Sequence, residues 1–280
     1  MSDIFNFNRF GKYLAYDLKS RWSENRVYIL VWVLIPAICY LGLISISAIW
    51  NGFTSAFTNF HLAHPQIATR VSVFTFSAIV FMLQFPSKAY GFITEKAKGS
   101  AWVELPASRL EKYSSMMLIT LIIIPLVFFI GYLLCDGIIC LIDKACGSSI
   151  FGAWIGLTDD YGPFNADGDV SIWGRGFWWL ASPVLMTASV FLLGALIFKK
   201  GKVSRTVLAL FLISMIVFSL GALVMSHVNV EAFGNNLRNW MIAHVDNLDI
   251  LFNSIGNLIM AVVVIGCGIW SWFRVKNVQH

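Results

Sequence analysis

The stretch VYILVWVLIPAICYLGLISISAIW, Val27 to Trp50, runs for twenty-four positions without a charged residue. At about 1.5 Å rise per residue, a helix of that length crosses the roughly 30 Å hydrocarbon layer of a bilayer. Helix is also what such a run must form there, because lipid offers no partner for backbone N–H and C=O groups. Five further runs repeat the pattern: Val71–Phe85, Ser114–Leu134, Phe177–Phe198, Val207–Met225 and Leu251–Phe273. The Val71 run is short, and it spans the layer only by starting near Ile67 or by continuing past Pro86. The expected fold is all-α, a polytopic membrane helix bundle. It divides into a cytoplasmic amphipathic segment, 1–26, and a six-span transmembrane domain, 27–280.

Composition agrees with that reading. Hydrophobic residues make up 58% and charged residues 12% of the chain, whereas soluble domains carry roughly twice that charge. Of the twenty Lys and Arg, sixteen fall in alternate segments between the spans: before span one, between two and three, between four and five, and after six. Basic residues stay on the cytoplasmic side during insertion, which puts both termini inside and three loops outside. Acids lean the other way, with six between Asp136 and Asp169 and three between Glu231 and Asp249. The net charge of +5 is thus an orienting signal for insertion and not a nucleic-acid footprint. Membrane lipid is the partner this implies. Residues 1–26 lack a short apolar core followed by a small-residue cleavage site, so the first span is expected to be an uncleaved anchor.

Ahead of the first span, Phe10, Leu14, Leu18 and Trp22 recur at every fourth position with Tyr13 beside them, while Lys12, Lys19 and Arg21 fall largely elsewhere on the wheel. That pattern predicts an interfacial helix lying along the inner leaflet with its apolar stripe in the acyl boundary. Trp50, Trp178, Trp179, Trp270 and Trp272 sit at span ends, where aromatic belts form. Pro36, Pro125 and Pro183 lie inside spans and can kink them.

Other residue clusters carry weak signals. Cys39 and Cys267 read as buried small hydrophobes, while Cys135, Cys140 and Cys146 sit close enough in sequence to contribute one disulfide. His61 and His64 lack a third ligand, and Asp167-Gly168-Asp169 lacks the twelve-position calcium pattern, so no metal site is expected. The outer loops, 136–176 and 226–250, read as solvated. The second contains Phe233, Leu237, Trp240, Met241 and Ile242, enough for a short amphipathic helix.

The richest segment is SKAYGFITEKAKGSAWVELPASRLEKYSSMM, Ser87 to Met117, which contains the cytoplasmic loop 88–113. Pro106 stops what precedes it, and Ser108 with Glu111 forms a Ser-x-x-Glu capping box, so the third helix starts at about Ser108. Upstream, Ile93, Ala97 and Ala101 repeat at fourth positions, with Trp102 and Leu105 near the same side and Glu95, Lys96, Lys98 and Glu104 on the other faces. A short amphipathic helix is expected, set against lipid, its own bundle or a partner.

This N-terminal helix, the six spans, and the loop patterned Glu-Lys-x-x-Gly then Leu-Pro-Ala-Ser-Arg-x-Glu-Lys resemble the permease subunits of bacterial type-2 ABC exporters. The match is tight over about thirty residues and architectural over the rest. Family members often place their main outer excursion between spans five and six, whereas the larger loop here lies between three and four. The resemblance implies a coupling helix that touches a separate ATPase and carries Glu95, Lys96, Gly99, Glu104, Leu105, Pro106, Ser108, Arg109, Glu111 and Lys112 into that region. It also implies a bacterial cytoplasmic (inner) membrane protein. Its expected partners are a soluble ABC ATPase subunit and a second permease, as homodimer or heterodimer. ATP and Mg would then be bound by the partner ATPase, and this chain would need no cofactor. From their size and apolarity, Trp102 and Leu105 are expected to dock into that ATPase, with Glu95, Glu104 and Arg109 at the rim. The alternative for Trp102 is an anchor at the inner membrane interface.

Absences point the same way. No GxxxxGK[ST] occurs, so no P-loop is present. The expected spans contain no Asp, Glu, Lys or Arg, which argues against an ion-coupled carrier and against an intramembrane enzyme. The expected function is the transmembrane subunit of an ATP-driven exporter moving a hydrophobic or amphipathic substrate outward. The alternative is a non-transporting scaffold, sensor or immunity protein of similar shape.

Overall fold

The structure, a computed structural model, describes residues 5–54, 67–142, 149–150, 172–227 and 245–277. Within them the chain is helical, with no strand. The helices are α1 (Phe7–Val33), α2 (Ile35–Thr54), α3 (Ile67–Tyr90), α4 (Lys96–Glu104), α5 (Arg109–Leu118), α6 (Ile124–Ile142), α7 (Ile172–Ile197), α8 (Lys202–His227) and α9 (Val245–Lys276). Five helical runs are long and apolar enough to cross a membrane: α1 into α2, α3, α5 through α6, α8 and α9. Helix α7 is 26 residues long, with its described apolar stretch at Ser182–Ile197.

Prolines set the joints. Pro36 lies in the first turn of α2, where its missing N–H is tolerated, and the chain bends just before it at Leu34. Between α5 and α6 the chain widens into a π turn at Ile119–Ile123, with the Ile124 amide donating to the Ile119 carbonyl five residues back. Pro125 follows directly and has no amide to extend the ordinary ladder, which accounts for the bulge there. Helix α3 both starts at Ile67 and continues past Pro86 to Tyr90, the two conditions under which the second span reaches full length.

The helix expected ahead of the first span is not a separate element among the described residues. No proline interrupts the chain between Phe7 and Leu34, and α1 accordingly runs through Arg26 without a break. Residues 7–26 thus belong to the same helix as the start of the first apolar run. Its buried face is Tyr13, Asp17, Arg21, Asn25 and Ile29, a mostly polar stripe. Leu14 and Leu18 pack at the edge of the core and Phe10 is half-buried, whereas Trp22 is 45% exposed.

The core lies between α1, α3, α6 and α7. Phe81 stacks on Phe128 at 4.8 Å, Phe74 meets Tyr132 edge-on at 4.8 Å, and Tyr28 stacks on Phe81 at 5.6 Å. Such pairs add about 0.5–1.5 kcal/mol each beyond burial. Helix α7 packs against α3 and α9, with Ala188, Leu192, Ala195 and Leu196 buried, and α8 packs mainly on α7. Gly194 allows that last approach, because a Cβ there would collide with the Thr206 hydroxyl.

His61, His64, Cys146, the acids from Asp159 to Asp169 and the stretch from Glu231 to Ile242 lie outside the described residues. Cys140 is disulfide-bonded, while Cys39, Cys135 and Cys267 are free thiols.

Candidate functional site: the loop between α3 and α5

The short helix expected before Pro106 is present as α4, and the capping box at the start of α5 is complete. Ser108 Oγ accepts from the Glu111 amide at 3.2 Å, and Glu111 Oε2 accepts from the Ser108 amide at 2.9 Å. Glu111 does more than cap its own helix. Its Oε1 also accepts from the Asn6 amide at 2.9 Å, and Asn6 is the N-cap of α1. Arg9 then grips both oxygens, Nε at 2.7 Å and Nη2 at 2.8 Å. One carboxylate, 0% exposed, therefore ties the N-termini of α1 and α5 together through a bidentate charge-assisted pair.

One turn further along, Asp17 performs a similar task. Its Oδ2 accepts from Tyr90 OH and Ser115 Oγ, both at 3.0 Å, and its Oδ1 from Arg21 Nε at 3.2 Å. Those contacts join α1 to the end of α3 and to α5. Arg21 also lies over the Phe92 ring at 4.4 Å and donates to Glu24 at 2.7 Å. A buried carboxylate with this set of partners satisfies the requirement that buried charge be paired and hydrogen-bonded.

Helix α4 is held from inside by Trp102 and Lys112. Trp102 is 6% exposed and its indole N–H donates to Tyr13 OH at 3.1 Å. Lys112 Nζ donates to the carbonyls of Trp102 and Val103, both at 2.9 Å, closing the C-terminal end of α4. Trp102, expected at the docking surface, thus has its ring turned into the chain. Leu105 is half-buried and packs at the core edge. The outward face is instead formed by Val103, 42% exposed, and Leu110, 41% exposed, with Glu104, Pro106 and Arg109 exposed around them. Glu95 is exposed and sits 3.5 Å from Lys202, while Lys96 opens α4. Arg109 Nη1 donates to the Lys276 carbonyl at 2.6 Å, and Tyr113 OH to that of Gly268 at 2.6 Å, which fastens α5 to the end of α9.

Sequence reasoning had found the loop, α4 and the capping box, but not Arg9, Tyr13, Asp17, Arg21, Tyr90 or Ser115 as one network. The available signal was the spacing of Tyr13, Asp17, Arg21 and Asn25, a second stripe of period four beside the apolar one. It also missed a pair at the far end. Arg70 Nη1 lies 2.9 Å from Asp136 Oδ1, both residues buried, and Asp136 Oδ2 accepts from the Ile150 amide at 2.8 Å. Consecutive spans run antiparallel, so the start of α3 and the end of α6 share a level. That adjacency was the clue.

The arrangement has the mechanical form of a lever. Helix α4 is joined to α1 by the Trp102–Tyr13 hydrogen bond and to α5 by the charge-assisted bonds of Lys112, so force applied to α4 reaches the bundle through short, directional contacts. Comparisons with protein-family models, curated proteins and solved structures find no match for this chain.

Proposed function

We propose that this chain is the membrane subunit of an ATP-driven exporter, with six spans, both termini in the cytoplasm of a bacterial cell and α7 as the fourth span. A soluble ATPase docks on the α4–α5 surface, and a second permease copy or paralogue completes the transporter. The observation that carries the reading is the α4 linkage: an exposed apolar ridge at Val103 and Leu110, rimmed by Glu104 and Arg109, backed by Trp102, Lys112 and Glu111 inside. Interfaces draw their affinity from such apolar anchors and their steering from rim charges. The sixteen-to-four distribution of Lys and Arg supports the orientation, and the lack of a P-loop motif in this sequence agrees with hydrolysis by a separate ATPase. The apolar spans favour a hydrophobic or amphipathic cargo.

The test is reconstitution of the chain with its cognate ATPase in sealed vesicles. ATP-dependent movement of an amphipathic fluorescent probe, unaffected by a protonophore, is the expected result. Binding of the ATPase without any nucleotide-dependent movement across a panel of probes would favour the scaffold reading instead.

A further inference from the structure

A second feature at the Lys- and Arg-rich end of the bundle lies apart from the α4 lever. A cavity of about 410 Å³ opens between the end of α3 and the start of α8, lined by Gln84, Ser87, Lys88, Lys202 and Ser204. Gly201, with φ of 59°, makes the reversal that brings Lys202 and α8 over the end of α3.

No carboxylate lines the cavity. Lys88 is exposed and rests on the Tyr28 ring at 3.7 Å, a contact that positions an ammonium without neutralising it. Tyr28 is itself fixed by donating to Gln84 at 3.2 Å. Lys202 has Glu95 at 3.5 Å, a carboxylate that is 48% exposed and outside the lining. Ser87 supplies an independent pointer: it lines the cavity, its Oγ is buried, and no described residue hydrogen-bonds to it. A buried hydroxyl left without a partner costs roughly 1–3 kcal/mol. The space therefore presents two cations and unused donors, with no carboxylate in its lining, at the ends of two helices apolar enough to cross a membrane.

We infer that this cavity is a binding site for a phosphate group, carried by an anionic lipid headgroup or free in solution, with Lys88 and Lys202 as its cations and Ser87 and Ser204 as its donors. The inference does not depend on the transport reading. A phosphate presents several acceptor oxygens to this set, and a lipid phosphate arrives with its acyl chains alongside the apolar faces of α3 and α8.

The experiment uses the full chain in nanodiscs of phosphatidylcholine alone or mixed with phosphatidylglycerol, with retained lipid counted by native mass spectrometry. Wild type is expected to retain phosphatidylglycerol. Lys88→Gln with Lys202→Gln should weaken retention by about twenty-fivefold, since each lysine near an anionic surface contributes roughly fivefold. The control, Lys19→Gln with Lys98→Gln, removes two exposed lysines of the same end and should change little. Lys88→Gln alone, at an exposed position, gives a smaller loss and guards against misfolding of the double variant. Adding inorganic phosphate without anionic lipid distinguishes the sources. A phosphate-dependent rise in melting temperature that disappears in the double variant assigns the site to free phosphate, and lipid retention without that rise assigns it to the headgroup. Equal losses in control and double variant, or no dependence of either ligand on Lys88 and Lys202, overturn the inference.

Discussion

Helices α1 and α8 are both long and both carry a membrane-crossing apolar stretch, but they are held in opposite ways. Helix α1 turns Tyr13, Asp17, Arg21 and Asn25 inward and is bound to α3 and α5 by their side chains. Helix α8 buries Thr206 against Gly194 near its start, and beyond that its described side chains from Leu210 onward are largely exposed. Lipid tails are as apolar as Leu, so the hydrophobic effect gives helices little reason to associate inside a bilayer. Specific position has to come from polar ties and close backbone approaches. Among the described residues α1 has many such ties and α8 few, so α1, α4 and α5 are expected to resist displacement more than α8 does.

The sharpest way to break this contrast is to remove its central carboxylate. Glu111→Ala strands Arg9 and two backbone amides at once, and breaking a buried pair by deleting one partner costs about 3–5 kcal/mol. Denaturant unfolding in detergent should show a loss of that size. A change under about 1 kcal/mol would mean that the clamp contributes little. Next in size is Trp102→Ala, which empties a buried site and should cost about 3 kcal/mol. Trp102→Phe, which keeps most of the volume and loses the bond to Tyr13, should cost less than half as much by the same measurement.

Ser108→Ala removes one side of the capping box and should cost about 1 kcal/mol, read as a small drop in melting temperature. At the other extreme is Phe218→Leu on α8, where the residue is 77% exposed. Away from buried features a substitution usually stays within about 0.5 kcal/mol. A large destabilisation there, in detergent and without other subunits, would show that α8 is held by more than its contact with α7.

The parts of the fold that were legible in the sequence are those governed by local rules. The capping box depends on a spacing of three, so Ser108 could be read directly, whereas span length left the limits of α3 open between a start near Ile67 and a continuation past Pro86, and the structure has both. Side-chain direction was less accessible. The apolar stripe of Phe10, Leu14, Leu18 and Trp22 suggested a helix on the membrane surface, because the partners that make the opposite stripe buriable, Tyr90 and Ser115, lie 73 and 98 residues from Asp17. The inward turn of Trp102 was hidden for the same reason, since its indole bonds to Tyr13, 89 residues away. Arg70 and Asp136 each sat at the edge of an apolar run, and their pairing depends on how α3 and α6 align.

The contrast between an inward Trp102 and an outward Val103 is also where the proposed coupling is most directly tested. Co-purification of the cognate ATPase should be measured for Val103→Glu, with the melting temperature of the membrane subunit recorded on the same preparation. The account predicts loss of the ATPase at an unchanged melting temperature, because the Val103 side chain is exposed on α4 and its bond to Lys112 uses the backbone carbonyl, which the substitution keeps. Retention of the ATPase at the wild-type level, together with normal ATP-dependent transport, would contradict it and remove the α4 ridge as the docking surface.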